Sequence, residues 1–83
     1  MSALMAKKIV IYSTPHCVFC RLAKEFLAEN NISYEEKDLS VDAVARDELI
    51  AKSGQLGVPV IDVEGEIIVG FDKPRLVQVL GLK

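Results

Sequence analysis

With 83 residues, 51% of them apolar and 27% charged, the chain has room for one domain around one modest core, and its composition excludes disorder. Ten basic against twelve acidic residues leave a net charge of −2, and there is no basic run, so nothing in the charge favours nucleic acid. Met1 to Lys8 hold no apolar stretch long enough for a signal peptide or a membrane span, so a cytoplasmic chain without membrane contact is expected, its thiols facing a reducing compartment.

Lys8-Ile9-Val10-Ile11-Tyr12 is apolar and β-branched and reads as a buried first strand. Ser13-Thr14-Pro15-His16 is a short polar break. From Val18 the apolar residues fall at helical spacing, with Leu22, Ala23, Phe26 and Leu27 on one face, in a helix that opens near Cys17 and stops at Asn30-Asn31. Ile32 to Asp38 reads as a second strand with Ile32, Tyr34 and Glu36 on one face, parallel to the first because crossover connections are right-handed. Ser40 or Asp42 caps a second helix through about Lys52, where Val44, Ala45, Glu48, Leu49 and Ile50 give a mixed amphipathic pattern before Ser53-Gly54 ends it. Val58 to Val63 and Glu66 to Val69 form a hairpin turning at Glu64-Gly65. Asp72 caps a last helix, with Pro74 in its first turn and Leu76, Val77, Val79 and Leu80 along it. The order βαβαββα, with no linker or repeat, predicts one α/β domain over residues 1–83, its core spanning about Lys7 to Leu82.

The two cysteines, Cys17 and Cys20, stand where the strand pattern gives way to the helix pattern. A helix N-terminus presents unpaired backbone N–H groups and the positive end of the macrodipole, and so favours an anion. Here that anion is the thiolate of Cys17, the nucleophile in disulfide exchange. Cys20, one turn along, lies within reach to close a disulfide. A structural zinc needs four N/S ligands, whereas this chain has two cysteines and a single histidine adjacent to one of them, so no metal site is expected. A permanent structural disulfide here would close a tiny loop and stabilise little. Redox cycling is the preferred reading. No serine, histidine and carboxylate arrangement supports hydrolysis, and there is no phosphate-binding glycine loop.

This order, with Cys-x-x-Cys after the first strand, resembles the glutaredoxin branch of the thioredoxin superfamily. Three separated segments carry the resemblance: Ile11 to Cys20, similar to the strand-to-active-site segment; Ser53 to Ile61, similar to the stretch ending in the cis-proline; and Ile68-Val69-Gly70-Phe71-Asp72, similar to the glycine-containing loop before the last helix. It implies a thioredoxin-like fold with a four-stranded mixed sheet flanked by three helices, a cis Val58-Pro59 bond, and a dithiol oxidoreductase in which Cys17 attacks and Cys20 resolves. Thr14, Phe19, Gln55, Val58, Pro59, Gly70, Phe71 and Asp72 fall at positions that contact substrate or glutathione in such proteins.

Several positions depart from the family pattern. Val18 replaces the proline usual after the first cysteine, which is similar to small electron donors such as those serving ribonucleotide reductase. Thr14 and Gln55 stand where relatives often carry basic residues that hold the glycyl carboxylate of glutathione, and Val69-Gly70 keeps only the second member of the usual double glycine. The two missing charges remove charge-assisted hydrogen bonds. No cofactor is therefore required, glutathione is admitted as reductant or ligand, and a thioredoxin-reductase-type flavoenzyme is the expected electron donor. The partners implied are disulfide-containing proteins met by a monomer. Two alternatives stay open: an iron–sulfur cluster shared by two chains through Cys17 with external thiols, and a redox-regulated interaction domain without turnover. His16 reads as an exposed loop residue with thiolate tuning as its second reading, Phe19 as either a recognition aromatic or a packed one, Arg21 and Lys24 as solvated helix face, and Tyr12 and Phe26 as core.

Overall fold

β-Branched residues build the centre of the molecule. In the computed structural model, which describes residues 8–55 and 57–81, all five residues of β1 (Ile9–Ser13) are buried. There follow α1 (Val18–Glu29), β2 (Glu35–Asp38), α2 (Ala43–Ser53), β3 (Val60–Val63), β4 (Glu66–Val69) and α3 (Lys73–Leu80), in the order the sequence predicts. The expected core limits at Lys7 and Leu82, and Leu56 in the segment before β3, lie outside the described residues.

The strands form one mixed sheet in the order β2-β1-β3-β4. β1 runs parallel to β2, with Ser13 opposite Asp38, and antiparallel to β3, with Tyr12 opposite Val60; β3 pairs antiparallel with β4, with Val60 opposite Val69. Alternation along the strands divides the core in two. Ile9, Ile11, Ile61, Val63 and Ile68 pack with Ala23, Phe26 and Leu27 of α1 and Leu76 of α3, while Val10, Tyr12 and Val60 pack with Ala45 and Leu49 of α2. The sheet thus lies between α1 and α3 on one side and α2 on the other, the thioredoxin-like arrangement that the resemblance implies. In the β3–β4 hairpin, Glu64 (φ 51°) and Gly65 (φ 95°) both have positive φ, as a type I′ turn requires.

Several details differ from the sequence reading, among them β3, which begins at Val60 rather than Val58, beyond the cis-proline. β2 begins at Glu35 rather than Ile32, because the chain before it completes the end of α1. Asn31 is left-handed (φ 58°), and the N–H groups of Asn31 and Ile32 donate to the carbonyls of Ala28 and Leu27 at 3.0 and 2.9 Å, a Schellman closure that takes Ile32 out of the ladder. Ile32 and Tyr34 pack instead against the core beneath α1 and α3. Leu22, and likewise Val44 and Ile50 of α2, are exposed rather than core. In α2 only Ala45 and Leu49, one turn apart, are buried.

Candidate active site

α1 starts at Val18 with Cys17 as its N-cap, in extended conformation (φ −99°, ψ 113°). A cap normally offers a side-chain oxygen to the free N–H groups of the first turn. Here the Sγ of Cys17 takes that role, accepting the backbone N–H of Cys20 at 3.1 Å. Both thiols are free, but their surroundings differ: Cys17 is half-buried, whereas Cys20 is only 1% exposed. Burial pushes the Cys20 thiol up to about 12, and its hydrogen bond with Cys17 adds to the shift; the Thr14 backbone and the charge of Lys24 act in the opposite direction without overcoming them. One cysteine of the pair is therefore half-buried at the positive end of a helix, and the other is held inside, where burial opposes its ionisation.

The sheet brings further residues to this end. Tyr12 pairs with Val60, so the chain leaving β1 toward Cys17 and the chain entering β3 through Pro59 meet at one edge. The Val58-Pro59 peptide is cis, Pro59 is buried, and its carbonyl accepts the N–H of Gly70 at 2.7 Å. Gly70 has φ 82°, a conformation that favours glycine. Val58 is half-buried against the core on the α2 side.

The remaining sequence-predicted residues are spread more widely. Phe19 is 60% exposed and Val18 58%, next to Cys17. His16 is exposed and lines a shallow depression of about 240 Å³ with Pro15, Cys17, Val18 and Arg21. Thr14 lines a separate depression of about 290 Å³ with Leu39, Ser40 and Arg46. Gln55 is exposed at the end of α2, its backbone N–H and carbonyl both bonded to the Ser53 hydroxyl. Phe71 packs edge-on to Phe26, ring centroids 6.1 Å apart, and Asp72 caps α3 by accepting from the Arg75 N–H.

Sequence reasoning missed two polar groups. At the end of β1, Glu36 Oε2 accepts from the buried Ser13 hydroxyl at 2.6 Å and from Lys24 Nζ at 2.8 Å, so Lys24 is tied to β2 rather than solvated. The signal available was Lys24 four residues after Cys20, on the same strip of α1. On the α2 side, Lys52 Nζ donates to Asp62 Oδ2 at 2.6 Å and to the Tyr12 hydroxyl at 2.8 Å. Burial would raise the Asp62 carboxyl, but Lys52 and the Gly65 N–H together hold it below the usual range.

Known proteins share this layout. The glutaredoxin family model matches residues 9–68, from β1 into β4, a span holding both cysteines and the cis-proline. An uncharacterised glutaredoxin-like 8.6 kDa protein in a rubredoxin operon of Clostridium pasteurianum is 44% identical, the match covering 82% of this chain and 91% of that protein. Glutaredoxin 3 of Escherichia coli K12 is 33% identical over 77% of each chain. Among solved structures, that of a variant of the thioredoxin-like protein BC3987 superposes with a TM-score of 0.87 at 38% identity, covering 92% of this chain and 97% of that one. Fold, cysteine pair and sequence point the same way: the chain belongs to the glutaredoxin family.

Proposed function

We propose that this chain is a thiol–disulfide oxidoreductase that reduces disulfides in proteins through a dithiol cycle. The Cys17 thiolate attacks a substrate disulfide RS–SR′, forming Cys17–S–S–R and expelling R′S⁻, which takes up a proton. Cys20 then loses its proton to solvent and attacks the Cys17 sulfur. The Cys17–Cys20 disulfide forms and RS⁻ leaves and is protonated. Two electrons pass from the two thiols to the substrate, and an external donor returns them. Thr14 and Gln55 offer glutathione no charge, so a thioredoxin-reductase-type flavoenzyme is the donor this reading favours.

The observation that carries this reading is the asymmetry of the pair: an accessible sulfur at the helix N-terminus accepting a backbone N–H, and a buried thiol one turn inside. The exposed Phe19 and Val18 beside Cys17 supply an apolar contact for a protein substrate. Reduction of insulin disulfides, assayed with glutathione plus glutathione reductase and with NADPH plus thioredoxin reductase, tests it. Turnover that disappears in Cys17→Ser is the expected result; no turnover with either donor would refute it.

A further inference from the structure

Cys20 must ionise to resolve the mixed disulfide, yet its thiol is buried, where a thiolate is costly. Any nearby charge therefore bears directly on the second half of the cycle. Lys24 is one helical turn beyond Cys20 on α1, so the two side chains share one strip of the helix. Its ammonium does not reach freely into solvent. It is bound at 2.8 Å to Glu36, which the fully buried Ser13 hydroxyl anchors from the end of β1.

The register fixes what else faces this region. Glu36 and Asp38 lie opposite Ile11 and Ser13 in the parallel ladder, so both carboxylates are on the sheet face that α1 covers. The Tyr34 hydroxyl before β2 also interacts with Lys24, Cys17 stands at the helix start, and Lys73 of α3 lies over the Phe26 ring further along α1. Lys24 is thus a cation whose charge favours the Cys20 thiolate, and Glu36 is its counter-ion. Its bond to Glu36 raises its own ionisation above the ordinary lysine range, so it stays charged at working pH.

We propose that Lys24, on the strip of α1 that carries Cys20, is an electrostatic positioning residue for the resolving step, stabilising the Cys20 thiolate as it attacks the Cys17 mixed disulfide. The inference rests on the dithiol reading above. In that step the Cys20 S–H proton passes to solvent, the Cys20–Cys17 S–S bond forms, the Cys17–substrate S–S bond breaks, and the departing thiolate is protonated. Lys24 keeps its proton throughout.

One equivalent of the aromatic disulfide dithiobis(nitrobenzoate), followed by stopped-flow absorbance across pH, separates the two steps. Attack by Cys17 releases the first nitrothiobenzoate, and attack by Cys20 releases the second. Lys24→Gln removes the cation and is expected to slow the second phase about threefold per pH unit of Cys20 shift, because the loss of thiolate is partly offset by nucleophilicity that rises with basicity, with a Brønsted coefficient of about 0.4–0.5. Glu36→Gln leaves the Lys24 charge without its counter-ion and is expected to speed the second phase, Lys24→Arg to keep the original rate, and the first phase to stay unchanged in all three. A merely structural ion pair would respond in the same direction to either Gln substitution. Equal direction in both, or no change in either, overturns the proposal while the dithiol cycle stands. Absence of a second phase in the unmodified protein overturns the dithiol cycle itself, and this inference with it.

Discussion

Cys20 donates its backbone N–H to the sulfur of Cys17 while its own thiol is buried beneath that sulfur's helix turn. One residue thus supports the half-buried sulfur of Cys17 through its backbone and, on the dithiol reading, attacks it through its side chain. Backbone N–H groups at a helix start are available without any side chain, so the support survives when Cys20 is replaced.

The first consequence is the order of alkylation. With burial pushing the Cys20 thiol up to about 12, very little of it is thiolate at pH 8. Iodoacetamide should therefore modify Cys17 first at every pH from 6 to about 9, as read by peptide mass spectrometry. Earlier labelling of Cys20 would reverse the assigned roles.

Trapping follows from the same geometry. Cys20→Ser keeps the N–H donor at this position and loses the resolving sulfur, so it should accumulate substrates as mixed disulfides on Cys17. Cys17→Ser should abolish exchange while a hydroxyl retains the cap, whereas Cys17→Ala should also cost about 1 kcal/mol of stability from the lost cap. Comparable exchange activity in the two serine variants would sink the two-step mechanism.

The Lys52–Asp62 pair under Tyr12 gives a stability prediction. Asp62 is held below the usual carboxylate range by Lys52 and Gly65 against the opposing effect of burial, and Glu36 is lowered by Lys24 and Ser13. A carboxyl whose folded value is depressed contributes stability above its unfolded value of about 4, and this is lost as pH falls through the folded value. The denaturation midpoint should be level from about pH 5 to 8 and fall progressively below about pH 4. Asp62→Ala strands the Gly65 N–H and leaves Lys52 with only the Tyr12 hydroxyl, and because Lys52 is 35% exposed and partly hydrated, the expected loss is about 1–2 kcal/mol in urea unfolding. A variant as stable as the original would show that the pair contributes nothing.

The parts of this fold legible in the sequence were those set by local physics. Ile9 to Tyr12 announce a buried strand, Glu64-Gly65 a tight hairpin turn, and Asp72 the start of α3, while of the two caps open for α2, Ser40 and Asp42, the structure uses Asp42. The late start of β2 was hidden because Ile32 fits a strand pattern equally well, while a left-handed Asn31 commits its N–H to α1. The cysteine pair was legible from its spacing and its place before a helix. The Ser13–Glu36–Lys24 cluster was not, since it joins three elements distant in the chain and depends on the parallel register of β1 with β2. Asp62 in a run of apolar strand residues was a visible anomaly whose partner, Lys52, only the packing of α2 supplies.

On the reading proposed above, the choice of electron donor depends on cations near the site. Thr14 borders a depression with Arg46, whose guanidinium donates to the Leu39 carbonyl at 3.3 Å, and Gln55 lies exposed with its backbone tied to Ser53. Of the cations close in sequence to the site segments, Arg75 is paired with Glu66 at 2.6 Å and Lys73 lies over the Phe26 ring, while Arg21 borders the Cys17 depression. Replacing neutral partners at Thr14 and Gln55 by charged ones would strengthen a carboxylate contact by about 1 kcal/mol each. The unmodified protein is thus expected to turn over poorly with glutathione and faster with a thioredoxin-reductase-type flavoenzyme. Thr14→Lys should raise the glutathione-dependent rate about fivefold at subsaturating glutathione, the equivalent of that 1 kcal/mol, and leave flavoenzyme-dependent turnover unchanged. Efficient glutathione turnover by the unmodified protein, with no response to Thr14→Lys, would show that the missing charges do not decide the donor.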